Sequence, residues 1–122
     1  MKYEIVKKAG ESLNKMLVIT DHARERLFKA NRGVYEIMDV PLENLEELSK
    51  KELEDFLCCF FKENDILKIH STAFYIGGIV FSIKEDSGTF VITTILGSYR
   101  FYVWEKAERK EEKTSVKVKS AI

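Results

Sequence analysis

Ile79-Val-Phe-Ser-Ile-Lys-Glu-Asp-Ser-Gly-Thr-Phe-Val-Ile-Thr-Thr-Ile-Leu96 is the stretch on which the fold turns. Ile79, Phe81 and Ile83 alternate with smaller or polar residues, which is the period of a strand with one face on a core. Glu85-Asp-Ser-Gly88 is a turn cluster, and Thr89 to Leu96 returns with the β-branched composition of a partner strand. A hairpin is predicted here. Upstream, Ala73 to Ile76 reads as a further strand joined to it through Gly77-Gly78, a hairpin-turn pair. Before that, Ile66 to Ser71 places Leu67, Ile69 and Ser71 on one face and Lys68 and His70 on the other. Downstream of a turn at Gly97-Ser98, Tyr99 to Glu105 is expected as a last strand. It puts Tyr99, Phe101 and Val103 on one face and Arg100, Tyr102, Trp104 and Lys106 on the other.

The first half of the chain has a different period. Ser49-Lys-Lys-Glu52 matches a capping box, and Leu53, Phe56, Leu57, Phe60 and Phe61 follow at helical spacing, so Phe56 and Phe60, with Ile69 on the sheet, are expected to be largely buried. Pro41 can begin another helix carrying Leu42, Leu45 and Leu48, and Val34 to Val40 reads as a connector or short strand. Met16 to Thr20 is a short β-favouring run, while residues 2–9 fit a strand or a short amphipathic helix equally well. The fold class is therefore α+β: N-terminal helices packed on one side of a four- to five-stranded, mainly antiparallel sheet. Residues 1–122 form a single domain, with an N-terminal segment at 1–15 and a charged C-terminal tail at 107–122.

Composition narrows the functional classes. The 122 residues are 45% hydrophobic with one proline, enough for a core and unlike a disordered chain. The two cysteines, Cys58 and Cys59, are adjacent, so neither a disulfide framework nor the separated pairs of a zinc site can be built from them. A reducing compartment fits, no apolar run reaches bilayer length, and the expected location is the cytoplasm with no membrane partner. No phosphate-binding glycine loop, metal-ligand spacing or nucleophile elbow is present, so no cofactor and no metal are expected. The net charge of zero conceals an asymmetry. Residues 1–33 carry eight basic against four acidic side chains, residues 34–65 three against ten, and residues 66–122 nine against six. A negative middle between positive ends argues against coating nucleic acid all over, but permits a local basic site for RNA and an acidic surface at 39–55 for a protein partner.

The chemistry-bearing stretch is Ile19-Thr-Asp-His-Ala-Arg-Glu-Arg-Leu-Phe-Lys-Ala-Asn-Arg-Gly33, which holds one of the two histidines. Thr20 or Asp21 can cap a helix that Gly33 can end. On it His22, Arg26 and Lys29 share one face, and Ala23, Leu27 and Ala30 share an inward one. A histidine beside a guanidinium suits acid–base chemistry on a phosphodiester; a plain solvated helix face has the same pattern. The cationic, aromatic side of the last expected strand could likewise stack bases and hold phosphates, or simply pack under the N-terminal segment.

Ile19 to Leu27, followed at a distance by the Phe74 to Ile95 β-meander, resembles small prokaryotic and phage-borne proteins grouped with the barnase, RelE and colicin type of metal-independent ribonuclease. The similarity covers residues 16–104, and the acidic stretch at 39–55 departs from that compact pattern. The resemblance implies RNA cleavage by basic, histidine and tyrosine side chains, with His22 and Arg26 on the helix signature. His70 and Arg100 join them as catalytic candidates by chemistry, and Lys29, Tyr102, Trp104 and Lys106 as substrate-binding candidates. The alternative is a non-enzymatic binding or inhibitor protein that uses its acidic middle.

Overall fold

A computed structural model of the chain describes residues 3–29, 34, 38 and 46–108. The predicted hairpin is its centre: β5 (Ile79–Asp86) pairs antiparallel with β6 (Thr89–Ser98) from Asp86↔Thr89 to Ile79↔Ser98. Ser87 and Gly88 both have positive φ, the geometry of a two-residue turn whose twist matches its strands. Two register shifts along this pair let the ten residues of β6 run beside the eight of β5. β4 (Ala73–Ile76) joins β5 through Gly77-Gly78, again both at positive φ. Only glycine fits at 77, because a Cβ there would lie 2.6 Å from the Phe60 ring.

Four further elements revise the sequence expectation. β1 (Glu4–Lys7) pairs antiparallel with β3 (Ile66–Lys68), which settles the ambiguous start as an edge strand, while β2 (Met16–Ile19) pairs parallel with β6. The sheet therefore has six strands in the order β1-β3-β4-β5-β6-β2; it is mainly antiparallel as expected, but larger than the four to five strands expected and mixed through the parallel β2–β6 pair. β3 is shorter than the predicted Ile66 to Ser71. The last expected strand is a helix, α3 (residues 99–108). Its start explains the misreading: the Ser98 hydroxyl accepts from the Phe101 backbone N–H at 3.1 Å, so the turn signal at Gly97-Ser98 is a helix cap rather than a strand-to-strand turn.

The expected helices at Asp21–Lys29 (α1) and Lys50–Glu63 (α2) are present, and both halves of the α2 capping box form between Ser49 and Glu52. Leu53, Leu57 and Phe61 are its buried stripe; they meet Ala23 and Leu27 of α1 and Phe74, Ile76, Phe81 and Ile92 of the sheet. Phe61 meets Phe81 edge-on, with ring centroids 5.1 Å apart. Phe56 and Phe60 pack at the rim of this core and Ile69 on the other side, all three partly buried where Leu53, Leu57 and Phe61 are fully so. Val34 and Met38, read as connector or strand, are helical positions buried in the same core. The helix end at Gly33, Ala30, the Pro41 helix as far as residue 45 and the tail beyond residue 108 lie outside the described residues.

Side chains alternate across a strand, so Ala73 and Val80 face away from Phe74 and Phe81. Tyr102 of α3 packs on Ala73 and Val80, with Ile69, Leu96 and Tyr99 around them. The N-terminal helices α1 and α2 thus pack on one face of the sheet as expected, and the unexpected helix α3 covers part of the other. At the β1 end, Lys7 is only 5% exposed; its ammonium donates to the carbonyls of Lys8, Lys62 and Asn64 at 2.8–3.1 Å, which caps the negative end of α2. At the opposite edge the Glu54 carboxylate accepts from the Ile19 backbone N–H at 2.8 Å, so a side chain occupies a donor that an added strand would need. Among the described residues no helix is long and apolar enough to cross a membrane.

Candidate functional site

The α1 candidates are set by a local cap. Thr20 Oγ1 accepts from the Ala23 N–H at 3.1 Å, which makes Thr20 rather than Asp21 the cap and turns Ala23 and Leu27 inward. His22 is exposed and Arg26 half-buried, its Nε without a hydrogen-bond partner among the described residues; Lys29 closes the described part of the helix. The neighbouring Arg24 donates to the Leu48 carbonyl at 2.7 Å and lies over the Phe28 ring. Among the described residues the recess beside this helix is lined by Phe28 and by Asp21, Glu25 and Glu46 against Arg24, a predominance of carboxylates that repels a polyanion.

On the opposite face a different constellation forms. His70 stands exposed in the β3–β4 connection, where its carbonyl accepts from the Ala73 N–H at 3.2 Å. Its Nε2 is 2.9 Å from the hydroxyl of Tyr102, a residue 7% exposed and held by the small second core. Lys106, one turn further along α3, places its ammonium 5.1 Å from the centre of the Tyr102 ring. A proton-exchanging ring, a phenol and a cation therefore adjoin one another at the surface.

Helical geometry divides Arg100, Tyr102, Trp104 and Lys106, which a strand would place on a single face. Residues four apart share a helix side and residues two apart lie on nearly opposite sides. Tyr102 and Lys106 accordingly turn toward the sheet side. Arg100 and Trp104 share the outer side; Arg100 is exposed, and Trp104 is 57% exposed with its ring 5.7 Å from that of Phe101. The sheet lies between Tyr102 and the α1 residues Ala23 and Leu27. His22 and Arg26 thus do not share a cleft with His70, which meets Tyr102 and, through it, Lys106.

Beside the His70–Tyr102 pair is a feature the sequence reading did not single out. Tyr3, Leu67, Ile69, Tyr75 and Tyr99 line an open groove of about 260 Å³. Tyr75 and Tyr99 meet at 87° with centroids 5.2 Å apart, and Tyr3, 57% exposed, forms the outer wall. The alternation of Leu67 and Ile69 was a usable signal, but Tyr3 and Tyr75 lie in no motif. Only register brings them together, through the pairings Ile5↔Leu67 and Leu67↔Tyr75.

Other titratable groups are structural in their contacts. Glu85 lies 3.0 Å from the Lys15 ammonium and 3.7 Å from that of Lys68; the hydrogen bond from Lys15 is the main cause holding its carboxyl below the usual range. Burial pushes the Cys58 thiol up, with Cys59 and Asp55 adding to it, which is the opposite of what a reactive thiolate needs. Among the described residues no three His, Cys, Asp or Glu side chains are grouped to hold a metal ion. Comparison with known proteins found no matching family model, no matching curated protein and no matching solved structure. The fold and this geometry define an α+β domain whose most chemically versatile cluster sits on the α3 face of a mixed sheet.

Proposed function

We propose that this protein is a small ribonuclease that cleaves RNA without a metal ion, and that its acid–base centre is His70. The observation that carries this reading is the 2.9 Å contact between His70 Nε2 and Tyr102 Oη beside the Lys106 ammonium. In the tautomer whose Nε2–H donates to Tyr102, Nδ1 bears the lone pair and His70 is exposed enough to reach a substrate. Nδ1 takes the proton of a ribose 2′-hydroxyl, the 2′-oxygen bonds to phosphorus, and the bond to the 5′-oxygen breaks. The products are a 2′,3′-cyclic phosphate and a 5′-hydroxyl, the latter protonated by the imidazolium or by water. Lys106, whose ammonium lies 5.1 Å from the centre of the Tyr102 ring, offsets charge building on the phosphate. His22 and Arg26 then serve α1 and not the chemistry. The test is cleavage of single-stranded RNA, with DNA as control and chelator present. His70→Ala is expected to lose about 10²–10⁴ in rate while His22→Ala keeps the parent rate. No cleavage across a panel of RNAs, or cleavage indifferent to His70→Ala, overturns the reading.

A second reading, a non-enzymatic binding or inhibitor protein, is favoured by one observation. In the described part of the acidic stretch Glu46, Glu47, Glu52 and Asp55 are all exposed. Such a surface suits a basic protein partner, and capture of that partner should weaken as salt rises, since exposed charges are screened beyond a Debye length of about 8 Å at physiological ionic strength. Salt-insensitive capture would move the interface elsewhere.

A further inference from the structure

We infer that the groove between Tyr3, Tyr75 and Tyr99 is a base-stacking subsite for single-stranded RNA, filled by a nucleobase next to the phosphate that His70 attends. This rests on the ribonuclease reading for its substrate. Its own support is the shape, chemistry and position of the groove.

The volume of about 260 Å³ lies just under the range of about 300–1,000 Å³ typical of small-molecule pockets, so it suits one planar ring system rather than a whole nucleotide. Its walls are phenol rings and aliphatic side chains. Tyr75 and Tyr99 meet edge to face, which leaves ring surface for a flat ligand to lie against. Among the described residues no carboxylate or cation lines it, so recognition proceeds by stacking, which every base can satisfy, and the expected sequence preference is weak.

Position ties the groove to the acid–base pair. Ile69, in its floor, directly precedes His70. Tyr99, in its wall, precedes Tyr102 and Lys106 at the spacing that keeps all three on one stripe of α3. A base in the groove can therefore place its phosphate beside α3, within reach of His70, Tyr102 and Lys106. A single strand is required, because a paired base has no exposed face to offer. An extended peptide fits less well: β1 has its register broken between Ile5 and Lys7, which shortens the ladder a peptide could add to.

The experiment uses the full chain and an uncleavable probe, a 2′-O-methyl oligoribonucleotide carrying one fluorescent base analogue. Binding should quench the analogue. Tyr3→Ala, at an exposed position, and Tyr75→Leu, which keeps apolar bulk and removes the ring, should each weaken binding by about tenfold, within the range for loss of one base–aromatic stack. A double-stranded probe should bind far more weakly, and His22→Ala, at an exposed position on the other side of the sheet, should leave binding of the single strand unchanged. Parent-like binding by both tyrosine variants overturns the subsite. The fate of the catalytic proposal is separate: quenched binding by a protein that cleaves nothing retains the subsite and removes the ribonuclease, whereas cleavage with unchanged KM in both tyrosine variants does the reverse.

Discussion

One face of the sheet is closed by α1 and α2 over phenylalanine and aliphatic side chains, whereas the other carries tyrosines beneath α3 and stays open along β1 and β3. The closed face holds Leu53, Leu57, Phe61, Phe74, Phe81 and Ile92 with essentially no exposure. The second face buries Ala73, Val80 and Tyr102, and leaves Ile69, Tyr75 and Tyr99 only partly covered. Phenols tolerate this half-wet position because the ring packs while the hydroxyl finds a partner, as Tyr102 does with His70. The closed face supplies stability, and the open one has room for chemistry.

That division can be broken by substitution. Phe61→Ala, which empties a site with no exposure between α2 and Phe81, should cost about 3–5 kcal/mol, measured by chemical denaturation. Phe56→Ala, at the rim, should cost clearly less, and equal costs would mean that α2 does not present the Leu53, Leu57, Phe61 stripe to the core. Gly77→Ala comes next. It forces a side chain into a positive-φ position and against the Phe60 ring, so a loss of about 1–3 kcal/mol is expected, and a neutral result would contradict the turn geometry. Trp104→Ala on the outer side of α3 should change stability by less than about 0.5 kcal/mol, as for ordinary surface substitutions.

The smallest effect expected is in acid. Glu52 is held below the usual carboxylate range by hydrogen bonds from Ser49, first the backbone N–H and then the hydroxyl, and Glu85 by the hydrogen bond from Lys15. A lowered folded-state pKa means that the stabilisation is present above the unfolded value and disappears as pH falls through the folded one. Glu52→Ala and Glu85→Ala should therefore flatten the acid limb of a melting-temperature profile while leaving its neutral-to-basic limb parallel to the parent's. An unchanged acid limb would show that neither contact persists in solution.

Legibility in the sequence followed the range of the interaction. The β5–β6 hairpin and the α2 cap could be read because Ser87-Gly88 and the Ser49–Glu52 box act within a few residues. The period of two formed by Tyr99, Phe101 and Val103 suggests a strand, while the i, i+3 pair of α3, Tyr99 and Tyr102, is equally present; the deciding bond, Phe101 N–H to Ser98 Oγ, is visible only in three dimensions. The parallel pairing of β2 with β6 spans more than seventy residues and has no local signature. Of the candidate site, His70, Tyr102 and Lys106 were named from chemistry and do adjoin one another, but by way of a helix. His22 and Arg26 carried the more suggestive spacing and face the other way, since a spacing of four fixes a helix side without saying what lies across from it.

The proposed ribonuclease site on the α3 face is distinguished from one on α1 by single-stranded RNA cleavage, in chelator, by the parent protein, His70→Ala and His22→Ala, with circular dichroism to verify folding. The parent and His22→Ala are expected to cleave at similar rates, and a folded His70→Ala to lose about 10²–10⁴. Loss of activity in His22→Ala with His70→Ala unaffected would place the site on α1 and contradict the proposal.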